Sequence, residues 1–269
     1  MQNITDPDIV PYIPDGIGNS TDRQRIPAVL IIPGGAFRRL VYNFEGEDVA
    51  KWLNSMGIAA FVLECRLPSD EHDNAEDVPL IDAMRAMRVI RGRAQEFGID
   101  EAKIGVMGFS AGGFMAALLS TAYESDVYVD YKYKDEYDKL SARPDFAVCS
   151  YPVISIDDCI EAGKRYMSEE QVLERISDSK AKILHKYNPD KLVRPDMPPV
   201  FICETDDDRT TLSENSVGFY MAARKAGVSA ELHIFRTGGH GYGCGDDFAQ
   251  TGEWKVLFTK WIKSIGIIS

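Results

Sequence analysis

Cysteine and histidine are scarce in this 269-residue chain, basic residues are outnumbered, and long apolar runs are missing altogether. No window approaches 18 consecutive apolar residues, so the sequence offers no membrane-spanning helix. The five cysteines contain no C-x-x-C pair, and Cys65, Cys149 and Cys203 lie in or beside apolar runs and read as buried thiols. No His, Cys or Asp cluster has ligand spacing, so neither a metal nor a cofactor is implied. Neither G-x-G-x-x-G nor G-x-x-x-x-G-K-[ST] occurs, which removes the dinucleotide and P-loop readings. Lys and Arg number 30 against 42 Asp and Glu, a net charge of −12 that repels polyphosphate and argues against a nucleic-acid partner. The first residues, MQNITDPD, lack the basic and apolar regions of a secretory leader, so a cytoplasmic location is expected.

What is present is ordinary for a folded chain: 45% hydrophobic and 27% charged residues, too apolar for disorder. A chain this long buries roughly three quarters of its unfolded surface and needs no disulfide or metal staple. One domain over residues 1–269 is expected, with no repeats. Up to about Arg25 no element is legible. Beyond it, short β-branched runs alternate with helical patterns. Strands are expected at residues 28–33, 58–63, 103–107, 145–150, 200–204 and 230–235, and helices at 45–56, 78–97, 111–123, 213–225 and 250–263. This alternation points to an α/β architecture, a mostly parallel sheet covered on both faces. Residues 155–196 are polar and helix-prone and break the rhythm, so they are expected to form a small lid-like insertion. In such sheets, chemistry gathers beyond the carboxyl ends of the strands.

One loop there is distinctive. Gly108-Phe109-Ser110-Ala111-Gly112-Gly113 follows the strand KIGVM and opens a helix. That is G-x-S-x-G in strand–turn–helix context, which lifts the Ser110 hydroxyl out of the sheet and turns the Ala111 N–H toward an oxyanion. A serine nucleophile needs a base, and four histidines compete. His72 lies in a charged loop, His185 in the polar insertion, and His233 alternates within a strand. His240 sits in Thr237-Gly-Gly-His-Gly-Tyr-Gly243 just after the last strand, where glycines leave the imidazole as the dominant side chain. Asp206, Asp207 and Asp208 follow the strand VFICE and are three candidates for the third member. Pro33-Gly34-Gly35-Ala36-Phe37 follows the first strand, and its small residues mark Gly35 and Ala36 as oxyanion donors. Phe37, Arg38 and Arg39 beside that loop, and Tyr242 beside the histidine, are candidate substrate contacts.

These segments together are similar to the acetyl-esterase and acetylxylan-esterase-like branch of the α/β-hydrolase superfamily. The likeness runs from about Ala28 to the end through PGGAF, IGVMGFSAGG, PPVFICETDDD and AELHIFRTGGHGYG. It implies an α/β-hydrolase fold of about eight strands and a serine esterase for short acyl groups, often acetyl on a sugar or oligosaccharide hydroxyl. The nucleophile maps onto Ser110, the base onto His240 and the oxyanion loop onto Gly35-Ala36. Counting along the loop by this likeness selects Asp208 as the triad acid, with Asp207 as runner-up. The sequence departs from the family pattern at Ala36, which replaces a third glycine, at Arg38-Arg39, and at Thr211-Leu212, which replaces Val-Pro. The implied partner is a small-molecule ester, with no nucleic acid and no membrane, and the oligomeric state is left open. A peptidase or arylformamidase would use the same machinery on an amide, and an inactive binding protein would share the fold.

Overall fold

The computed structural model describes residues 7–16, 25–68, 74–129, 131, 134–177, 182–245 and 250–269. His72 and the first six residues, on which two of the expectations above rest, lie outside the described residues. In chain order the first half runs β1 (Asp8–Tyr12), β2 (Ile26–Ile32), α1 (Asp48–Ser55), β3 (Ala59–Glu64), α2 (Val78–Gly92), α3 (Ala94–Phe97), β4 (Ile99–Phe109) and α4 (Ala111–Ala122). The second half runs β5 (Ala147–Ser150), α5 (Ile156–Tyr166), α6 (Glu169–Ser177), α7 (Lys182–Lys186), β6 (Val200–Thr205), α8 (Ser213–Lys225), β7 (Ala230–Phe235) and α9 (Glu253–Ser264).

The strands form one sheet in the order β1-β3-β2-β4-β5-β6-β7, seven among the described residues where about eight were expected. Every pair is parallel except β1 with β3. The inner strands are apolar throughout because both faces are covered. Ala28, Leu30 and Ile32 of β2 belong to one buried cluster with residues of α2, α4 and α8, whereas Val29 and Ile31 belong to a second, on the other face, with residues of α1 and α9. Helix α4 lies at the middle of the first layer. Its residues from Ala111 to Thr121 are all buried, which explains why its sequence is apolar on every side.

Two expectations need correction. The stretch before Arg25, read as structureless, contains β1, whose Asp8–Tyr12 pairs with Glu64 through Ala60. An edge strand is held by backbone bonds on one side and needs no hydrophobic run of its own. Pro11, which has no N–H to give, is tolerated there. The single helix expected over residues 78–97 is broken at Arg93 (φ −99°, ψ 16°) into α2 and α3. The periodicity continues across the break, so it could not reveal it.

The chain leaves β2 for β3 on one side of the sheet and then crosses to β4 on the other. The loops after β2 and β4 therefore diverge from neighbouring strand ends and open a crevice between them. The polar segment between β5 and β6 is built from α5, α6 and α7, with Cys159, Ala162, Ile183 and Leu184 turned inward. No helix of the described residues is long and apolar enough to cross a membrane.

The aromatic layer under α9 supplies a stability prediction. Phe258 is fully buried and its ring meets those of Trp52, Phe201, Trp254 and Trp261. Phe258→Ala should cost about 3–5 kcal/mol in urea unfolding. Val256→Ala, on the exposed side of the same helix, should change stability by no more than about 0.5 kcal/mol.

Glu204 at the end of β6 supplies a pH prediction. It is fully buried, and its carboxyl accepts the Thr205 N–H at 2.9 Å and the Ser216 hydroxyl at 3.3 Å. Burial, and then the nearby charge of Asp208, push its pKa well above the ordinary carboxylate value. A group raised on folding stabilises fully below its unfolded pKa, and the benefit is lost as pH rises through the folded value. The contribution of Glu204 to stability should therefore fall as pH rises above the usual carboxylate range. In denaturation curves at several pH values, Glu204→Gln should show a flatter decline.

Candidate active site

The site is assembled from the loops after β2, β4, β5, β6 and β7. Ser110, between β4 and α4, holds φ 53° and ψ −118°, a left-handed conformation that is costly for a residue with a side chain. Its N–H donates to Ser150 O at 3.0 Å. The flanking glycines are required by contact. A Cβ on Gly108 would lie 1.9 Å from Gly112 O, and one on Gly112 would lie 1.9 Å from Ile32 O. The turn can thus fold against the end of β2 only without side chains at both positions.

The Ser110 hydroxyl lies 2.8 Å from His240 Nε2, and His240 Nδ1 lies 2.6 Å from Asp208 Oδ2. An ionised carboxylate only accepts, so Nδ1 carries the hydrogen and Nε2 is left to accept from Ser110. Asp208 is 2% exposed. Its Oδ1 accepts the N–H groups of Thr210 and Thr211 at 2.7 and 3.0 Å, and Oδ2 accepts the Thr211 hydroxyl at 2.9 Å. Burial works to raise its pKa, but the bonds and charge of His240 and the two backbone donors outweigh it and hold the carboxyl below its ordinary value.

The other two aspartates are exposed and take different partners. Asp207 Oδ1 accepts the Gly239 N–H at 2.8 Å and so ties down the histidine loop, while Asp206 accepts the Ser213 hydroxyl at 3.4 Å. Of the other histidines, His185 is exposed on α7 with Nε2 2.9 Å from Ile176 O. His233 on β7 lies 2.8 Å from Glu231 and packs on Phe201.

A cavity of about 400 Å³ opens over Ser110, walled on one side by Ala36, Phe37 and Ala111 and on the other by the α5–α7 segment. Ala36 and Phe37 both have φ 56°, so the loop holds a left-handed turn at two residues that carry side chains. Ala36 and Ala111 face the cavity beside Ser110. Gly35 is in the same turn but does not line it. Phe37 is buried edge-on against Phe114 and shapes the wall, and Arg38 lines the rim. Glu174 and Gln171 of α6 add polar groups, and Val153, Ile156 and Leu184 add apolar ones.

Two candidate substrate contacts are displaced from the cavity. Arg39 lines a small adjoining crevice with Leu40, Cys65 and Leu67, which shares Phe37 and Ala111 with the cavity. Tyr242 is buried behind the histidine, its ring 4.5 Å from that of Tyr151, so it belongs to the core.

Several residues of the site escape a motif search. The Thr211 hydroxyl touches Asp208, stands 3.2 Å from His240 Nδ1 and reaches Tyr151 O at 3.4 Å. The Thr205 hydroxyl donates to Gly239 O at 2.9 Å. The spacing Asp208-x-x-Thr211 is the one available signal, since a short acceptor followed by turn donors is a local capping pattern. Glu45 and Tyr151, buried beneath the site, have no local signature. All five cysteines are buried. Among the described residues no group of three or more His, Cys, Asp or Glu is placed to hold a metal ion.

Comparison with known proteins places this geometry. The chain is 31% identical over 240 residues to an acetylxylan esterase of Xylanibacter ruminicola, with 88% of the chain and 45% of the relative aligned. It is also 31% identical over 227 residues to an endo-1,4-beta-xylanase B of Butyrivibrio fibrisolvens, with 84% of the chain and 34% of the relative aligned. The chain thus spans less than half the length of either relative. Among solved structures, an acetyl ester-xyloside bifunctional hydrolase from Caldicellulosiruptor lactoaceticus superposes with a TM-score of 0.78 at 37% identity, covering 98% of this chain and 89% of that one. A carboxylesterase of Lactobacillus plantarum shares the fold at 21% identity and a TM-score of 0.79, covering 97% of this chain and 94% of the other. A family model, BD-FAE, matches residues 17–222, most of the chain. With its parallel sheet, its serine elbow and this match, the chain belongs to the BD-FAE family and has the α/β-hydrolase fold.

Proposed function

We propose that this protein is a serine esterase that removes short acyl groups, acetyl foremost, from esters of sugars or oligosaccharides. The observation that carries this reading is the unbroken chain Ser110–His240–Asp208, with links of 2.8 and 2.6 Å, opening into the cavity at the start of α4. Similarity to an acetylxylan esterase and to an acetyl ester-xyloside bifunctional hydrolase supports the substrate class.

In this reading Ser110 Oγ attacks the ester carbonyl carbon while His240 Nε2 takes its proton. The carbonyl π-bond electrons move onto oxygen, and the N–H groups of Ala111 and Ala36 or Gly35 receive that oxyanion. The bond to the alcohol oxygen then breaks, and His240 returns the proton to it, leaving an acyl group on Ser110. Water, deprotonated by His240, attacks the acyl carbon, and Ser110 leaves with the proton as the carboxylic acid departs. Asp208, kept ionised by its donors, holds the imidazole in the tautomer both steps need. Residues 155–196 act as the lid-like part of one catalytic unit spanning 1–269, since helices from this segment wall the cavity. The odd number of cysteines, all buried, fits a reducing compartment such as the cytoplasm.

Ser110→Ala should lower kcat on p-nitrophenyl acetate by on the order of 10⁴ or more with the fold intact by circular dichroism. If most activity remained, another nucleophile would have to be found. Asp208→Asn should cost roughly 10³–10⁴ in kcat, because the amide no longer selects the tautomer. Asp206→Asn and Asp207→Asn should cost about tenfold at most, read as steady-state rates of the three variants side by side.

Substrate range gives the next expectation. A hydrolysis screen should favour acetyl and propionyl esters over chains of about eight carbons or more, at ~1–3 kcal/mol for a mismatched methylene. Comparable kcat/KM on acetate and decanoate esters would remove the short-acyl reading, and equal rates on an acetanilide would favour amide hydrolysis. Because Arg38 alone of the two arginines lines the cavity, Arg38→Ala should raise KM for an acetylated xylo-oligosaccharide severalfold and leave p-nitrophenyl acetate unchanged. Arg39→Ala should alter neither.

A further inference from the structure

The loops bearing Ala36 and His240 follow β2 and β7, and β4, β5 and β6 lie between those strands in the sheet. No strand-to-strand ladder can therefore hold these two loops in register. A buried pair of side chains spans the gap instead. Glu45, in a π-helical turn (Asn43–Glu47) ahead of α1, is 3% exposed. Its Oε2 accepts the Gly34 N–H at 2.7 Å, one residue before Gly35 and two before Ala36. Its Oε1 accepts the Tyr151 hydroxyl at 2.8 Å, and that hydroxyl in turn accepts the Gly243 N–H at 3.0 Å, three residues after His240. Three hydrogen bonds thus run from the oxyanion loop to the histidine loop.

Tyr151 is placed to serve more than one loop. It is fully buried with φ 37°, a left-handed backbone that tyrosine rarely adopts, so the surrounding contacts determine its conformation. Its N–H donates to Cys203 O at 2.7 Å, and its C=O lies 3.4 Å from the Thr211 hydroxyl that donates to Asp208. Its ring stands edge-on to the His240 imidazole with centroids 5.1 Å apart. Burial raises the pKa of Glu45, while its bonds from Tyr151 and Gly34 and the charge of His240 pull it back. Neither Glu45 nor Tyr151 lines the cavity.

We propose that Glu45 and Tyr151 are positioning residues that act as one unit, a buried clamp setting the distance between the oxyanion donors and the catalytic imidazole. Nucleophile, base and oxyanion donors must agree to fractions of an ångström for the reacting atom to meet all of them. The inference rests on the esterase reading above and deepens it.

The test uses Tyr151→Phe, Glu45→Gln and the double variant, assayed on p-nitrophenyl acetate. An organophosphate titrant counts reactive serines, so kcat is expressed per reactive site and is insensitive to a fraction of unfolded protein. Each single variant should lose at least fivefold in kcat per reactive serine with KM within threefold. The double variant should be about as slow as the slower single, because two members of one unit cannot be lost twice. A loss under fivefold in Tyr151→Phe, which keeps the ring and its packing, would overturn the proposal even if the Glu45 variant failed to fold. A double-variant loss equal to the product of the two single losses would also overturn it. If instead the wild-type protein were not titrated and Ser110→Ala kept its activity, the esterase reading itself would fail, an outcome distinguishable from either.

Discussion

The close approach of the β4–α4 turn to the end of β2 is the constraint on which the site depends. Ser110 can project from the sheet only if its backbone takes a left-handed conformation, and that conformation lasts only if the turn is clamped from both sides. On one side Gly112 sits where any side chain would meet Ile32 O, and on the other the Ser110 N–H is tied to the end of β5. The parallel sheet supplies both anchors. The strain at one serine is balanced by the packing of three neighbouring strands and by the complete burial of α4 behind it.

From this point the remaining parts of the site follow the order of strands in the sheet. β5 lies beside β4 and contributes Ser150 and Tyr151, β6 next to it contributes Asp208, and β7 at the edge contributes His240. The hydrogen-bonded chain reaches past that order: Ser110 meets His240 from the outermost strand, and His240 turns back to Asp208 from the strand inside it. The acid is the most enclosed member and the most fully hydrogen-bonded, with two backbone donors and a hydroxyl besides the imidazole. Such a carboxylate is costly to bury alone but is stable when its lone pairs are occupied, and the same donors keep it ionised. Thr211 has a physical sense here, since its hydroxyl adds a donor to the acid.

The cavity has a mixed character, which fits the substrate proposed above. Apolar side chains of α5, α7 and the β5 loop lie near the serine, and Arg38, Gln171 and Glu174 stand on the same wall system. In the proposed reading an acyl methyl group gains from the first kind of surface and a hydroxylated leaving group from the second. The segment between β5 and β6 supplies most of this lining and lies apart from the elbow in sequence.

The sequence by itself determined the alternating α/β pattern, because buried parallel strands must be apolar and their crossover helices amphipathic. It also determined the serine elbow and the glycine-flanked histidine, since these local conformations demand particular residues at fixed spacing. The edge strand β1 was not legible, because its run DIVPY is short, interrupted by Pro11 and only half-buried. Three adjacent aspartates are equivalent to a local reading apart from family likeness. Only the turn that buries Asp208 and exposes Asp206 and Asp207 separates them. Arg38 and Arg39 look alike in the sequence and end in different crevices, and Tyr242, which looks like a site residue, is part of the core. Glu45 and Tyr151 stand 106 positions apart, and no local pattern relates them. Tertiary structure alone decided their meeting, because a hydrogen bond between distant residues depends on how strands are ordered in the sheet, and that order is a property of the whole chain.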